Sequence, residues 1–130
     1  MNVLGIETSC DETAVAVVRD GHNVTASLVS SQVAKHADYG GVIPELAARE
    51  HLKDLRPILQ QTLHQAELAL DDIDAVAVTS SPGLLPALLV GLSFAKGLAA
   101  ATAKPLVGIN HFLAHVFGAF LETPDRLQLP

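Results

Sequence analysis

Residues 3–31 hold three strand-like segments in succession, separated by nothing longer than a turn, and this limits the fold of the chain more than any other feature. Val3–Glu7 is a short apolar run closing on an acid, the pattern of a buried first strand. Thr8–Glu12 is a polar turn, and Thr13–Arg19 alternates with a period of two. Asp20-Gly21 is a hairpin signal, and Asn23–Ser31 reads as a third strand. Strands joined this closely run antiparallel, because a parallel pair needs a crossover of roughly a dozen residues or more. An antiparallel meander therefore opens the fold.

The rest of the chain alternates helix and strand. His36–Val42 contains Tyr39-Gly40-Gly41 and reads as a flexible polar loop. Pro44-Glu45 suits the first turn of a helix, where a missing amide and a negative charge are both favourable. Leu46, Leu52, Leu55, Leu59, Leu63 and Ala66 keep helical spacing on one face, and Pro57 inside that pattern predicts a kink or a break. Asp71–Asp74 is a turn before a strand over Ala75–Thr79, and Ser80–Gly83 has turn chemistry. Leu84–Ala103 is almost wholly apolar and predicts a buried helix. Lys104-Pro105 ends it and leads into the strand Leu106–Ile109. Asn110 suits the N-cap of a third helix over His111–Leu121, stopped by Thr123-Pro124, and the tail Asp125–Pro130 has no element of its own. The order is β-β-β-α-β-α-β-α, with no repeat and no internal domain boundary. By analogy of element order, this α/β pattern is one half of the ribonuclease-H-like architecture. Actin-like and sugar-kinase-like (ASKHA) ATPases set two such halves around a nucleotide cleft.

Composition narrows the partners. Hydrophobic residues make up 49% of the chain and aromatics only 4%, so Ala, Leu and Val carry the packing. The net charge is -6, from 8 basic and 14 acidic residues, and no basic patch is visible. A grip on nucleic acid would thus have to come from few residues, from further chain or from a partner. The single cysteine, Cys10, cannot form an intrachain disulfide, which suits a reducing cytosol, and it reads as a packing residue. The first residues lack a signal peptide's basic start and apolar stretch. The longest apolar stretch, Leu84–Leu92, is short for a membrane span and carries Pro86 and Gly91. A cytoplasmic protein without membrane contact is expected.

His111 and His115 are the strongest chemical signal. Two imidazoles four apart on a helix share one face, so both rings can address a single metal ion. They follow a strand, at the carboxyl end where open α/β sheets place ligands. A zinc protease of the His-Glu-x-x-His type needs a Glu after the first histidine as base, and Phe112 stands there. The pair therefore predicts a metal but not that protease, and the site needs at least one ligand more. Glu7–Thr13 is a second candidate: a turn of hydroxyls and backbone amides can cradle phosphate, and its adjacent acids Asp11 and Glu12 can hold magnesium or its waters. Thr79–Leu84 lies between a strand and a helix, a place for anions, but lacks the Gly-Lys-Ser/Thr ending of a P-loop. His22, His36, His51 and His64 read as solvated, with His36 set apart by its place in a long loop.

Four segments in order then resemble one family. They are Leu4-Gly5-Ile6-Glu7-Thr8-Ser9-Cys10-Asp11-Glu12-Thr13-Ala14, the stretch Tyr39–His51, the stretch from Pro82-Gly83-Leu84 to Ala95-Lys96-Gly97-Leu98-Ala99, and Pro105–His111. Together they resemble the TsaD (Kae) family, whose older label is O-sialoglycoprotein endopeptidase or glycoprotease. The resemblance spans essentially the whole chain. It implies transfer of threonylcarbamoyl from threonylcarbamoyl-AMP, an ATP-derived nucleotide, to N6 of the adenosine beside the anticodon of tRNA (t6A formation). It implies a divalent metal, iron or zinc, on His111 and His115, with Thr8, Ser9, Asp11 and Glu12 facing the nucleotide. It also implies tRNA as substrate, with a TsaB-like protein and other subunits of the t6A complex as partners. Two departures stand out. Ser81 replaces a Gly common in the family, and Leu113 stands where a Glu is frequent; neither removes a ligand.

Family members are more than twice as long as these 130 residues, and the second lobe supplies a Gly-Gly-His stretch, most nucleotide contacts and an Asp ligand. Residues 1–130 are therefore expected to be the N-terminal lobe, with Leu127–Pro130 as the lead-in to the second and with no transfer activity alone. Two other readings stand beside this one. A non-catalytic module would dimerise or dock a partner through a helix face. A different actin-like phosphotransferase would have no role for the histidine pair.

Overall fold

A computed structural model of the chain describes residues 1–121, and the expectations for Thr123-Pro124 and the tail lie outside the described residues. Five strands form one mixed sheet in the order β3-β2-β1-β4-β5. They are β1 (Asn2–Glu7), β2 (Glu12–Arg19), β3 (Asn23–Ser31), β4 (Ala75–Ser81) and β5 (Leu106–Asn110). β1 to β3 form the antiparallel meander, with Gly5 opposite Ala16 and a bulge in β3 at Thr25, opposite the Val17–Val18 step of β2. β4 enters parallel to β1 on its other edge, Val3 opposite Ala75, and β5 extends the sheet parallel to β4. This is the ribonuclease-H-like arrangement that the element order predicts.

The helices are α1 (Val33–His36), α2 (Pro44–Gln65), α3 (Leu85–Thr102) and α4 (His111–Gly118). The core lies on one face of the sheet, where Leu4, Ile6, Val15, Val17, Val76 and Val78 meet Leu55, Ile58 and Leu59 of α2 and Ala95 and Ala99 of α3. The alanines let α3 lie close. Gly5, Ala14, Ala16, Ser27 and Ala77 face the opposite way, into an open trough of about 490 Å³ that α4 borders with His111, Ala114, His115 and Gly118.

Several sequence expectations need correction. The loop predicted at His36–Val42 starts inside α1, which continues into a single 3-10 turn over Ala37–Tyr39. The Gln32 carbonyl accepts from the amides of Lys35 and His36 and so starts that helix. α2 runs unbroken through Pro57. Pro57 and Lys53, whose carbonyl loses its amide donor there, are both exposed, so water can serve that carbonyl. Leu52 is 67% exposed, and the inner face of α2 is completed instead by Ala47, His51, Ile58 and Thr62. α3 is not fully buried: Ala87, Leu88, Gly91, Ala95 and Ala99 face inward, while Leu85 and Leu89 are exposed. A helix laid on a single layer buries only one stripe, and a uniformly apolar sequence does not say which. By length and mean hydropathy (18 residues, 1.5) α3 could also cross a bilayer, which the Leu84–Leu92 stretch alone did not show; here it lies on the sheet.

Candidate functional site

The carboxyl ends of β1, β4 and β5 converge on one point. Glu7 closes β1, Thr79 lies in β4, and β5 runs directly into α4, which opens with His111. The Asn110 side chain caps α4 by accepting from the Leu113 amide at 3.1 Å, as predicted, and this fixes the direction in which both histidines project.

Glu7 organises the point. Its carboxylate accepts short hydrogen bonds from the Ser9 amide and the Thr79 hydroxyl, and it lies 3.4 Å from His111 Nδ1. Ser9 Oγ is 3.1 Å from the same nitrogen. Burial pushes the Glu7 carboxyl up, but the hydrogen bonds from Ser9, Thr79 and His111 outweigh it and hold the group below its ordinary value. Glu7 is thus an ionised acceptor, so His111 carries its proton on Nδ1 and keeps a lone pair on Nε2. His115 Nε2 lies 3.1 Å from His111 Nε2, with the rings near-perpendicular at 78°. Two imidazole nitrogens at about 2.0–2.1 Å from one ion, with ligand angles between octahedral and tetrahedral, sit about 2.8–3.4 Å apart. The pair fits a shared ion. A carboxylate behind a ligating imidazole is also the usual way of fixing its tautomer. Among the described residues, no third His, Cys, Asp or Glu joins the two histidines.

The turn after β1 is braced from beneath. Thr8 is buried and its hydroxyl donates to the Ala87 carbonyl of α3 at 2.9 Å. The Ser9 carbonyl accepts from the Leu84 amide. Gly83 and Gly91 lie so close that a Cβ on Gly83 would meet Ser9 O at 2.7 Å, and one on Gly91 would run into Thr8. Of the four residues predicted to face a nucleotide, Ser9 borders His111, Asp11 is half-buried and Glu12 is exposed, while Thr8 points into the packing. Ser9, Cys10, Pro82, Gly83, Leu84 and His111 line a neighbouring cleft of about 260 Å³. Cys10 is exposed, not the packing residue its sequence context predicts. Partial burial and the neighbouring Asp11 raise its thiol pKa.

Two histidines read as solvated are buried. His36 is 4% exposed and His51 is 0% exposed, whereas His22 and His64 are exposed. Ala47, His51 and Leu55 stand four apart on the inner stripe of α2, a spacing that could have placed His51 indoors. Nothing in the spacing marks Gln32, which is fully buried and bonds both histidines.

Comparison with known proteins gives the context. The family described as TsaD: tRNA N6-adenosine threonylcarbamoyltransferase matches residues 23–130. A protein of that name from Protochlamydia amoebophila is 51% identical over 130 residues, covering 100% of this chain and 38% of the relative. One from Trichlorobacter lovleyi is 57% identical over 124 residues, 95% of this chain and 36% of the relative. The chain therefore spans little more than a third of the length of these relatives. Among solved structures, YeaZ from Pseudomonas aeruginosa shares the fold with a TM-score of 0.61 and 23% identity, over 85% of this chain and 45% of the other. RuvC from T. thermophilus, in complex with a Holliday junction substrate, shares it with a TM-score of 0.55 and 15% identity, over 98% and 84%. The chain belongs to the TsaD family of tRNA N6-adenosine threonylcarbamoyltransferases.

Proposed function

We propose that residues 1–130 form the N-terminal lobe of an enzyme that moves threonylcarbamoyl from threonylcarbamoyl-AMP to N6 of the adenosine beside the tRNA anticodon. Family membership supports the reaction, and the facing Nε2 atoms of His111 and His115 are the observation that carries the site. These two histidines would hold one divalent ion, iron or zinc, and a second lobe would add the remaining ligand. When bound, such an ion polarises an oxygen of the substrate and offsets phosphate charge. Glu7 and Ser9 keep the proton of His111 on Nδ1, so Nε2 is free to ligate. Ser9, Asp11 and Glu12 would face the nucleotide, and Thr8 keeps that turn on α3. With the reactants fixed between two lobes, proximity supplies much of the remaining rate. The acidic balance of the lobe supports a division of labour in which tRNA is gripped mainly elsewhere. A TsaB-like protein, with the fold shared by YeaZ, is the proposed partner alongside other subunits of the complex, and a homodimer is the alternative pairing. The proposed compartment is the cytoplasm.

The test is elemental analysis of the complete gene product. Purified wild-type protein is expected to hold about one ion per chain, and His111→Ala to lose it. Equal metal content in the two proteins rejects the ligand assignment.

A further inference from the structure

The buried polar groups between the sheet and α2 form a chain with a direction. At one end, His51 Nε2 lies 3.0 Å from the Cys10 carbonyl, so that nitrogen carries a proton and donates. His51 Nδ1 is then an acceptor, facing the Thr13 hydroxyl at 2.7 Å and Gln32 Nε2 at 3.3 Å. The Gln32 amide nitrogen also donates to the Ala47 carbonyl, which fixes the orientation of the side chain. Gln32 Oε1 therefore faces His36 Nε2, which donates to it at 3.0 Å. His36 Nδ1 finally accepts from the Ile43 amide at 3.3 Å. Every donor meets one acceptor, and only one proton arrangement satisfies the whole chain. Gln32, His36 and His51 are all buried, so no water competes for these bonds.

The two ends lie on different loops. Cys10 follows Ser9, whose hydroxyl touches His111, and Ile43 closes the exposed loop that carries Tyr39-Gly40-Gly41. Gln32 holds the first turn a second time, through its backbone amide on the Asp11 carbonyl. We infer that Gln32 is a positioning residue that links these loops through His51 and His36, so that a displacement of the loop over residues 37–43 is transmitted to the Ser9–Asp11 turn. A contact made at Tyr39 thus alters how firmly Ser9 holds His111. This goes beyond the transfer reaction and does not depend on it.

The test is by NMR on the full-length gene product carrying 13C-carbonyl cysteine, with the Cys10 signal assigned by its loss in Cys10→Ser. His36→Asn keeps an acceptor for the Ile43 amide but is too short to reach Gln32. It is expected to shift the Cys10 carbonyl resonance, three hydrogen bonds away, and to add no shift in a Gln32→Met background. A Cys10 carbonyl unmoved by His36→Asn, or moved equally with Gln32 absent, overturns the inference. If Gln32→Met does not fold, His51→Gln probes the chain from the other end, because it keeps the donor to Cys10 and removes the acceptor for Gln32. The His36 ring nitrogens are then expected to shift, and unchanged nitrogens overturn the inference equally.

Discussion

Gly91 shows how narrowly the turn after β1 is placed. A methyl group there would stand 3.3 Å from Thr8 Cβ and collide with the Thr8 hydroxyl, which already holds the Ala87 carbonyl. Gly91→Ala gains up to about 1 kcal/mol of helix propensity. Overpacking of this kind costs about 1–3 kcal/mol. Net destabilisation is therefore expected, read as a lower urea midpoint with an unchanged slope, and a midpoint at or above wild type contradicts this packing. At Cys10 the neighbouring Asp11 and partial burial disfavour the thiolate. Alkylation by iodoacetamide at pH 7.5 is expected to be several-fold slower than for a free cysteine peptide, despite the exposure of the residue. The sequence singled out candidate residues here but not which way they turn. His111 and His115 were legible because helical spacing alone puts them on one face. Thr8 was not, since a hydroxyl in a polar turn looks the same whether it faces a ligand or a backbone carbonyl.

Among the elements, α2 carries two acid-sensitive groups, Glu50 and His51. Glu50 accepts from Lys35 and from Lys53, and these two cations hold its carboxyl down at about 2. The unfolded chain takes up that proton near 4.5, so the ion pairs contribute in full above 4.5 and are lost as pH falls towards 2. Desolvation lowers the pKa of His51, against the Cys10 carbonyl and acidic neighbours. Below its ordinary 6.5 the unfolded state binds the proton first, so this contribution also fades as pH falls. Stability is expected to decline in two stages, one below about 6.5 and one below about 4.5. In Glu50→Gln the second stage should shrink, as measured by denaturant titration across pH; an unchanged second stage removes Glu50 as its source. Most element bounds were legible from alternation, capping and proline placement, and β3 and the Asn110 cap came out as predicted. The unbroken run through Pro57 was not, because a proline's effect depends on which side of the helix it occupies.

For the whole molecule, the order of strands and helices sufficed to reach the mixed sheet, since a meander followed by two right-sized crossovers leaves few alternatives. The trough on the far face of the sheet was hidden from the sequence, because small residues such as Gly5, Ala14 and Ala77 mark a close approach without saying what approaches. If this lobe contributes two ligands and a second lobe the rest, residues 1–130 alone are expected to transfer no threonylcarbamoyl to tRNA from threonylcarbamoyl-AMP, while the complete gene product does. Turnover by the isolated lobe would reject the two-lobe division of the site. The central place of β1 also sets a timetable for folding. Its outer edge pairs with β2 within the first hairpin, but its inner edge waits for β4, and the Asn2 amide meets Asp74 only 72 positions later. On the ribosome, at roughly 5–20 residues per second, that edge stays open for several seconds after β1 emerges. An apolar strand with unpaired amides is then a template for the wrong neighbour. The segment most exposed to misassembly during synthesis is thus the one that ends, once β4 arrives, on the Glu7 carboxylate.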